Sequence, residues 1–388
     1  MSPRTPLRCA AAFVLAACGT AQAAPLTIGL LVRADDERLA SPRAELAYPG
    51  HPTGPAQQGV EVALREAQFE LEAAKLQPKL EVIEVRTPDE ARAAAQKLEK
   101  AGAAALLAEL PADALLAAAG AVKLAVFNLG ESADALRQQQ CRPNLLHTLP
   151  SERMRSDALA QHLVARKWSR VLLLHGPRPA DAQRLASVEL SLKRYGLKTV
   201  ARRPFKLSAD PRERDLANPL LLTGGADHDV VWVVDTDGEF ARGLPYRTAL
   251  PRPVVGDAGL FALAWAPNFE RFGAPQLARR FARHAKRPMT GEDWAAWMAT
   301  KAVVQAAVAK PSGPWAPAGW TAPDFTLDGF KGTRLSFRAW DRQLRQPLLL
   351  SDGQGVVGSA PVEGLLHPSN VLDTLGADAP EKLCRTGA

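Results

Sequence analysis

At 388 residues with 47% apolar side chains, the chain is too long for one ordinary core and too apolar for wholesale disorder. It should form two domains of roughly 150–200 residues each. The formal net charge is +7, but no cluster of Lys and Arg interleaved with aromatic residues stands out, so no nucleic-acid partner is expected.

Residues 1–23 have the pattern of an export signal. Arg4 and Arg8 form the charged start, residues 10–17 the apolar core, and Ala21, Gln22 and Ala23 a small-x-small cleavage site. Loss of the two arginines takes the charge from +7 to +5. The competing reading is a lipobox at Leu15, Ala16, Ala17 and Cys18, with a lipid anchor on Cys18. No other run reaches the eighteen or so apolar residues of a membrane-spanning helix. Both readings put the mature chain in an oxidising compartment, the periplasm. Cys9 and Cys18 leave or are lipidated, so Cys141 and Cys384 remain and are expected to pair. Two free thiols are the alternative.

Residues 26–32 read as a central parallel strand, followed by a Pro/Gly-rich loop over 35–59 and a helix over 60–76. Strands at 80–85, 103–108 and 124–127 alternate with helices at 88–101 and 112–121, which predicts a parallel sheet with right-handed crossovers. Residues 144–176 are a pivot. Pro150 ends a short apolar segment, Ser151 stands at an N-cap, a helix runs from Glu152, and 171–174 is an apolar strand. The alternation then starts again: a helix at 180–195 and strands at 199–205, 229–234 and 254–255. A long apolar helix follows at 293–309, and a strand at 334–337.

In such sheets ligands sit beyond the carboxyl ends of the strands. That rule selects Glu109 after the third strand and Asn128, Glu131 and Ser132 after the fourth. In the second half it selects His175, Asp235, Asp237 and Asp257. Tyr48 and Trp265 are candidates for an apolar wall.

The pivot carries a resemblance. Leu146-His147-Thr148-Leu149-Pro150-Ser151-Glu152, then Lys167-Trp168-Ser169-Arg170-Val171-Leu172, is similar to the crossover of the type I periplasmic binding proteins, the branched-chain amino-acid-binding group of ABC transporter receptors. Gly59, Ala63 and Glu66 match that family's first helix, residues 293–309 its late aromatic helix, and Arg334 to Phe337, within Gly332 to Phe337, resembles its "G-x-x-x-F" strand with one residue more between glycine and phenylalanine. Residues 235–248 and 341–347 further resemble a branch associated with pyrroloquinoline-quinone-dependent alcohol oxidation. The resemblance implies an α/β fold: two Rossmann-like lobes with parallel sheets, joined by a multi-strand hinge. One lobe would comprise 24–147 with about 270–345, and the other 148–269 with about 346–388. It also implies a monomer that closes on a small solute and presents it to an ABC transporter permease. A receptor that senses without transporting, or an accessory of alcohol oxidation, is the alternative.

One departure matters. Where the amino-acid-binding relatives carry "G-x-x-x-S", this chain has Ala108-Glu109-Leu110-Pro111-Ala112. The added carboxylate argues for a neutral or cationic solute over an acidic one. No Walker A, His-Glu-x-x-His or Gly-x-Ser-x-Gly is present, so no enzyme activity, cofactor or metal is expected. Asp227-His228-Asp229 reads as a polar entry to a strand rather than a metal site.

Overall fold

The computed structural model describes residues 23–36, 39 and 54–385. The export signal, Cys18, Tyr48 and most of the Pro/Gly-rich loop lie outside the described residues.

The first half supplies β1 (Ala24–Arg33), α1 (Gln57–Glu66), α2 (Gln68–Ala73), β2 (Leu76–Val85), α3 (Pro88–Lys100), β3 (Ala105–Glu109), α4 (Ala112–Ala121), β4 (Val126–Asn128) and β5 (Leu145–His147). All five strands are parallel, in the order β2-β1-β3-β4-β5. The helix expected over 60–76 is two shorter ones. Lys75 takes a left-handed backbone (φ 55°), which ends the second, and Leu76 already opens the strand.

The second half supplies α5 (Glu152–Ala165), β6 (Arg170–His175), α6 (Pro179–Arg194), β7 (Lys198–Pro204), α7 (Pro219–Thr223), β8 (Val230–Val234) and β9 (Val254–Gly256). These strands form a second parallel sheet, ordered β7-β6-β8-β9. The Ser151 hydroxyl accepts from Met154 N (3.2 Å), the N-cap expected from the sequence. Asp229 clamps Arg170 and the amides of Ser169 (3.0 Å) and Arg170 (2.9 Å), so it splints the entries of β6 and β8.

The remainder is β10 (Phe261–Leu263), α8 (Ala274–Ala285), α9 (Gly291–Ala309), α10 (Pro317–Trp320), β11 (Leu327–Asp328), β12 (Arg334–Leu335), β13 (Leu348–Ser351) and β14 (Val356–Ala360). Helices α8 and α9 pack on α1 beside the first sheet. At Gly59 an added Cβ would lie 2.4 Å from the Asp293 carbonyl oxygen, so the α1–α9 contact needs a glycine. Strands β10, β13 and β14 form an antiparallel sheet against α5, beside the second parallel sheet. The strand expected over 334–337 is only two residues long and pairs antiparallel with β11.

Three stretches therefore join the halves: 148–151 into α5, 264–273 from β10 to α8, and 343–347 into β13. The segment Asp341 to Pro347, singled out by resemblance, ties them together. Leu344 N donates to His147 O (2.8 Å) and His147 N to Arg342 O (3.0 Å). The buried Gln343 amide donates to Leu149 O (3.0 Å) and accepts from Arg137 Nε (3.0 Å), while Gln346 donates to Thr148 O (2.8 Å). Buried amides with every bond made fix one arrangement of crossing strands where apolar side chains would allow several. His147 itself is buried, and desolvation holds its imidazole well below the usual range, so it is neutral.

The tail completes the joint. Cys141 and Cys384 form a disulfide with Cα atoms 5.7 Å apart, as expected from the sequence.

Candidate functional site

The carboxyl ends of β3 and β4 make one side of the site. Glu109 ends β3 with only 3% of its surface exposed, and its Oε2 accepts from Ala56 N (3.2 Å) at the start of α1. Gly130 passes so close that an added Cβ would sit 3.3 Å from Glu109 Cγ. Asn128 is fully buried and forms a turn: its Oδ1 accepts from Glu131 N (2.9 Å) and its Nδ2 donates to Glu131 O (2.6 Å). The Glu131 carboxylate caps Ala133 N (2.9 Å), so both residues chiefly shape the loop that presents Ser132.

From Ser132 a continuous polar chain crosses to the second sheet. Its hydroxyl donates to Glu152 Oε1, and its carbonyl accepts from Glu152 N (3.0 Å). Glu152 pairs with Arg184 (3.0 Å), and Arg184 Nη1 donates to Asp257 Oδ1 (2.6 Å). Asp257 Oδ2 in turn accepts from Asp235 N (2.7 Å). Four of the expected residues, Ser132, Asp257, Asp235 and its hydrogen-bonded neighbour Asp237, are thus brought into one network.

Sequence reasoning missed Glu152, Arg184 and Asp181 because it looked only at strand-end loops. All three lie in the opening turns of α5 and α6, the helices that follow those loops. Asp181 ties the neighbouring loops together, accepting from Arg178 N (3.0 Å), Thr236 N (2.8 Å) and Thr236 Oγ1 (2.7 Å). A signal was available for it, since a carboxylate two residues after Pro179 suits a helix start.

Two expected residues stand apart. His175 ends β6 half-buried, with Nδ1 3.2 Å from the Gly176 carbonyl, and joins no other member of the set. Trp265 is a correction. It is 1% exposed and packed in the apolar core beside the first sheet, so it is a packing group rather than an open wall.

Electrostatically the set is less acidic than its residue list. Arg184 offsets Glu152 and Asp257, and Arg178 pairs with Asp237. Burial pushes Glu152 up, but Arg184 and Arg155 overcome it and hold the carboxyl below its ordinary value. Asp257 shows the reverse balance: burial outweighs Arg184 and raises it. Burial and the hydrogen bond with Asp237 push Asp235 up to about 7.

Residues 58–245 match the model of the periplasmic binding protein family. The structure superposes on a periplasmic binding protein from Burkholderia mallei with a TM-score of 0.64 at 13% identity, covering 93% of this chain and 98% of that one. This is the fold of the type I periplasmic binding proteins. A branched-chain amino acid ABC transporter periplasmic ligand-binding protein from Burkholderia xenovorans is similar too: TM-score 0.66, 16% identity, 86% and 95% covered. So is an ABC transporter solute-binding protein from R. palustris in complex with benzoate: TM-score 0.60, 13% identity, 84% and 92% covered. No curated protein matches the sequence.

Within the periplasmic-binding-protein fold the Arg184 side chain fills much of the space between α5, α6 and the ends of β8 and β9. Only about 40 Å³ remains there, room for water, so a solute entering this space has to displace the Arg184 side chain.

The raised Asp235 carboxyl predicts a pH effect whose sign is fixed. The folded state holds a proton that the unfolded chain releases near pH 4, so stability falls as pH rises from about 4 to about 7. Asp235→Asn keeps an acceptor for Ala241 N, now 2.8 Å from Asp235 Oδ2, and cannot ionise. Denaturant melts at pH 5 and pH 8 should therefore show a smaller loss for the variant than for the parent. Equal losses would remove Asp235 as the source.

Proposed function

We propose that the protein is the periplasmic solute-binding receptor of an ABC transporter, closing its two lobes on a small polar solute held between the strand ends. The observation that carries this reading is the polar chain from Ser132 through Glu152, Arg184 and Asp257 to Asp235. It joins the strand ends of both sheets, beside the three connecting stretches that would act as a hinge. The lobes are taken as 24–147 with about 270–345, and 148–269 with about 346–388. The chain is exported, with cleavage after Ala23 preferred over a lipid anchor at Cys18, and acts as a monomer that hands its solute to the permease.

Internal pairing favours a neutral solute. With Arg178 and Arg184 already offsetting Asp237, Glu152 and Asp257, a charged ligand would have to displace an ion pair. Asp235, protonated in part near neutral pH, and the buried Glu109 suit the hydroxyls of a polyol or alcohol-derived solute. That class agrees with the resemblance of residues 235–248 and 341–347 to receptors of quinone-dependent alcohol oxidation. A cationic solute is the next choice.

Mass spectrometry of small molecules that co-purify with the exported protein would name the class. Calorimetry with that solute should then show losses of about 1–3 kcal/mol for Asp235→Ala and for Glu109→Ala. Tight binding of leucine, indifferent to both substitutions, would refute the location and the ligand class together.

A further inference from the structure

A second pocket, of about 540 Å³, lies beside the joint and shares no lining residue with the strand-end set. One wall is the loop 268–272 that leads into α8, together with Lys331; the other is the turn and edge strand of the β13–β14 hairpin. Phe269 of the first wall and Leu349 and Val356 of the hairpin pack in the core beside the first sheet, while Leu348, Leu350 and Ala360 of the same hairpin pack in the core beside the second.

Two polar groups in this pocket lack what burial normally demands. Lys331 is 5% exposed, and its Nζ donates to Gln346 Oε1 (2.8 Å) and Pro347 O (3.2 Å), 3.6 Å from the centre of the Trp294 ring. Both acceptors are neutral, and no carboxylate pairs with the amine among the described residues. A buried ammonium without a counter-ion is costly, and it either loses its proton or acquires an anion. Asn268 donates through Nδ2 to the Gln354 carbonyl, bridging the two walls, while its buried Oδ1 has no hydrogen-bond partner among the described residues. A buried acceptor left so awaits a donor.

We propose that this pocket is a second ligand site, taking a small monocarboxylate that carries a hydroxyl, with its carboxylate at Lys331 and its hydroxyl donating to Asn268 Oδ1. Phe269 and Phe272 line the apolar part. Glu270 and Arg271 on the same wall offset one another, which leaves Lys331 as the charge that attracts the ligand. The occupant contacts both the loop that leads into α8 and the hairpin that packs on α5, so its affinity depends on how these two are set. The site therefore biases closure over the strand-end solute without touching it.

Proton linkage gives the site a signature. Burial holds the free Lys331 amine well below its ordinary value. Trp294, Gln346 and Pro347 face it without charge, and the charged groups lining the pocket beside it are Glu270 and Arg271. An arriving carboxylate favours the ammonium form, so binding takes up a proton and weakens as pH rises.

The test is calorimetric titration of the full mature chain with sodium lactate, in buffers of different ionisation enthalpy, at pH 6 and pH 8. Expected are saturable binding with proton uptake, tighter at pH 6, and no binding of the uncharged lactamide. Lys331→Met should weaken lactate about tenfold or more, and Asn268→Ala, at a partly exposed loop position that tolerates change, about fivefold. Asp235→Asn should leave lactate binding unchanged. Absence of lactate binding, or binding indifferent to both pocket variants, would overturn the proposal. So would binding lost in Asp235→Asn and kept in Lys331→Met, which would assign lactate to the strand ends. The proposed receptor function stands or falls separately, by closure on the strand-end solute.

Discussion

Replacing Arg338 with Met should lower folding stability by about 3–5 kcal/mol, among the largest effects expected of one substitution. The guanidinium has no exposed surface, and residues 372–377 of the tail curl around it. Its Nε donates to Asp373 Oδ1 (2.8 Å), and its Nη2 donates to Leu372 O (3.0 Å) and Leu375 O (2.7 Å). Asp341 completes the pairing from its own segment. Gly376 takes a left-handed backbone (φ 85°), and an added Cβ there would lie 2.8 Å from Met154 Cγ and 3.4 Å from Arg338 Nη1. Met fills similar volume but leaves Asp341 with only the Gln343 amide (3.1 Å), two carbonyls buried without their donor, and Asp373 with only Arg345 (2.8 Å). Arg338→Lys should recover only part of the loss, because an ammonium cannot reach both edges of that ring of acceptors. Urea melts of the oxidised protein measure this. A loss under about 1 kcal/mol for the Met variant would mean that the tail is held from elsewhere.

Very little of that arrangement could be read from the sequence, and the reason is physical. Arg338 is satisfied mostly by backbone carbonyls of a segment distant in the chain, and carbonyls leave no mark in side-chain identity. The parallel sheets were legible because β8 is a short all-apolar run and β3 and β6 are apolar apart from their end residues, the pattern of strands covered on both faces. Helix α4 appeared at the expected residues since its Ala and Leu positions allow little else. Helix α8 was there to be read: its buried Ala274, Leu277 and Phe281 follow helical spacing, but arginines on the open face mask the pattern. The antiparallel β10–β13–β14 sheet was not legible, because its strands are very short and β10 joins the β13–β14 hairpin from a distant segment through backbone pairing. For the candidate site, the strand-end rule found carboxylates and missed the arginine that offsets them. Arg184 projects from α6 into the space those loops enclose, and nothing in its local sequence separates it from a solvent-facing helix residue.

The double substitution Cys141→Ser with Cys384→Ser should cost about 2–4 kcal/mol. The link joins residues 243 apart, so in the unfolded chain it closes a very long loop, and losing it returns that freedom. In the folded state the tail has other holds. Glu381 makes a two-pronged pair with Arg153 (2.7 and 3.0 Å). Gly376 N donates to Asp157 Oδ2 (2.8 Å), and Tyr195 Oη donates to Thr374 O (3.1 Å). Those bonds should keep the tail seated in the Cys-free protein, with faster amide exchange confined to residues near 380–385. Arg338 and the disulfide secure the same segment, so their losses should not add. In the Cys-free background Arg338→Met should cost less than in the parent, because a tail released at both points exposes Asp373 and the orphaned carbonyls to water instead of leaving them buried. A double-mutant cycle by urea denaturation reads the difference directly. Strict additivity would show that the tail stays packed without either hold, and an unchanged midpoint in the Cys-free protein would show that the disulfide adds nothing to the joint.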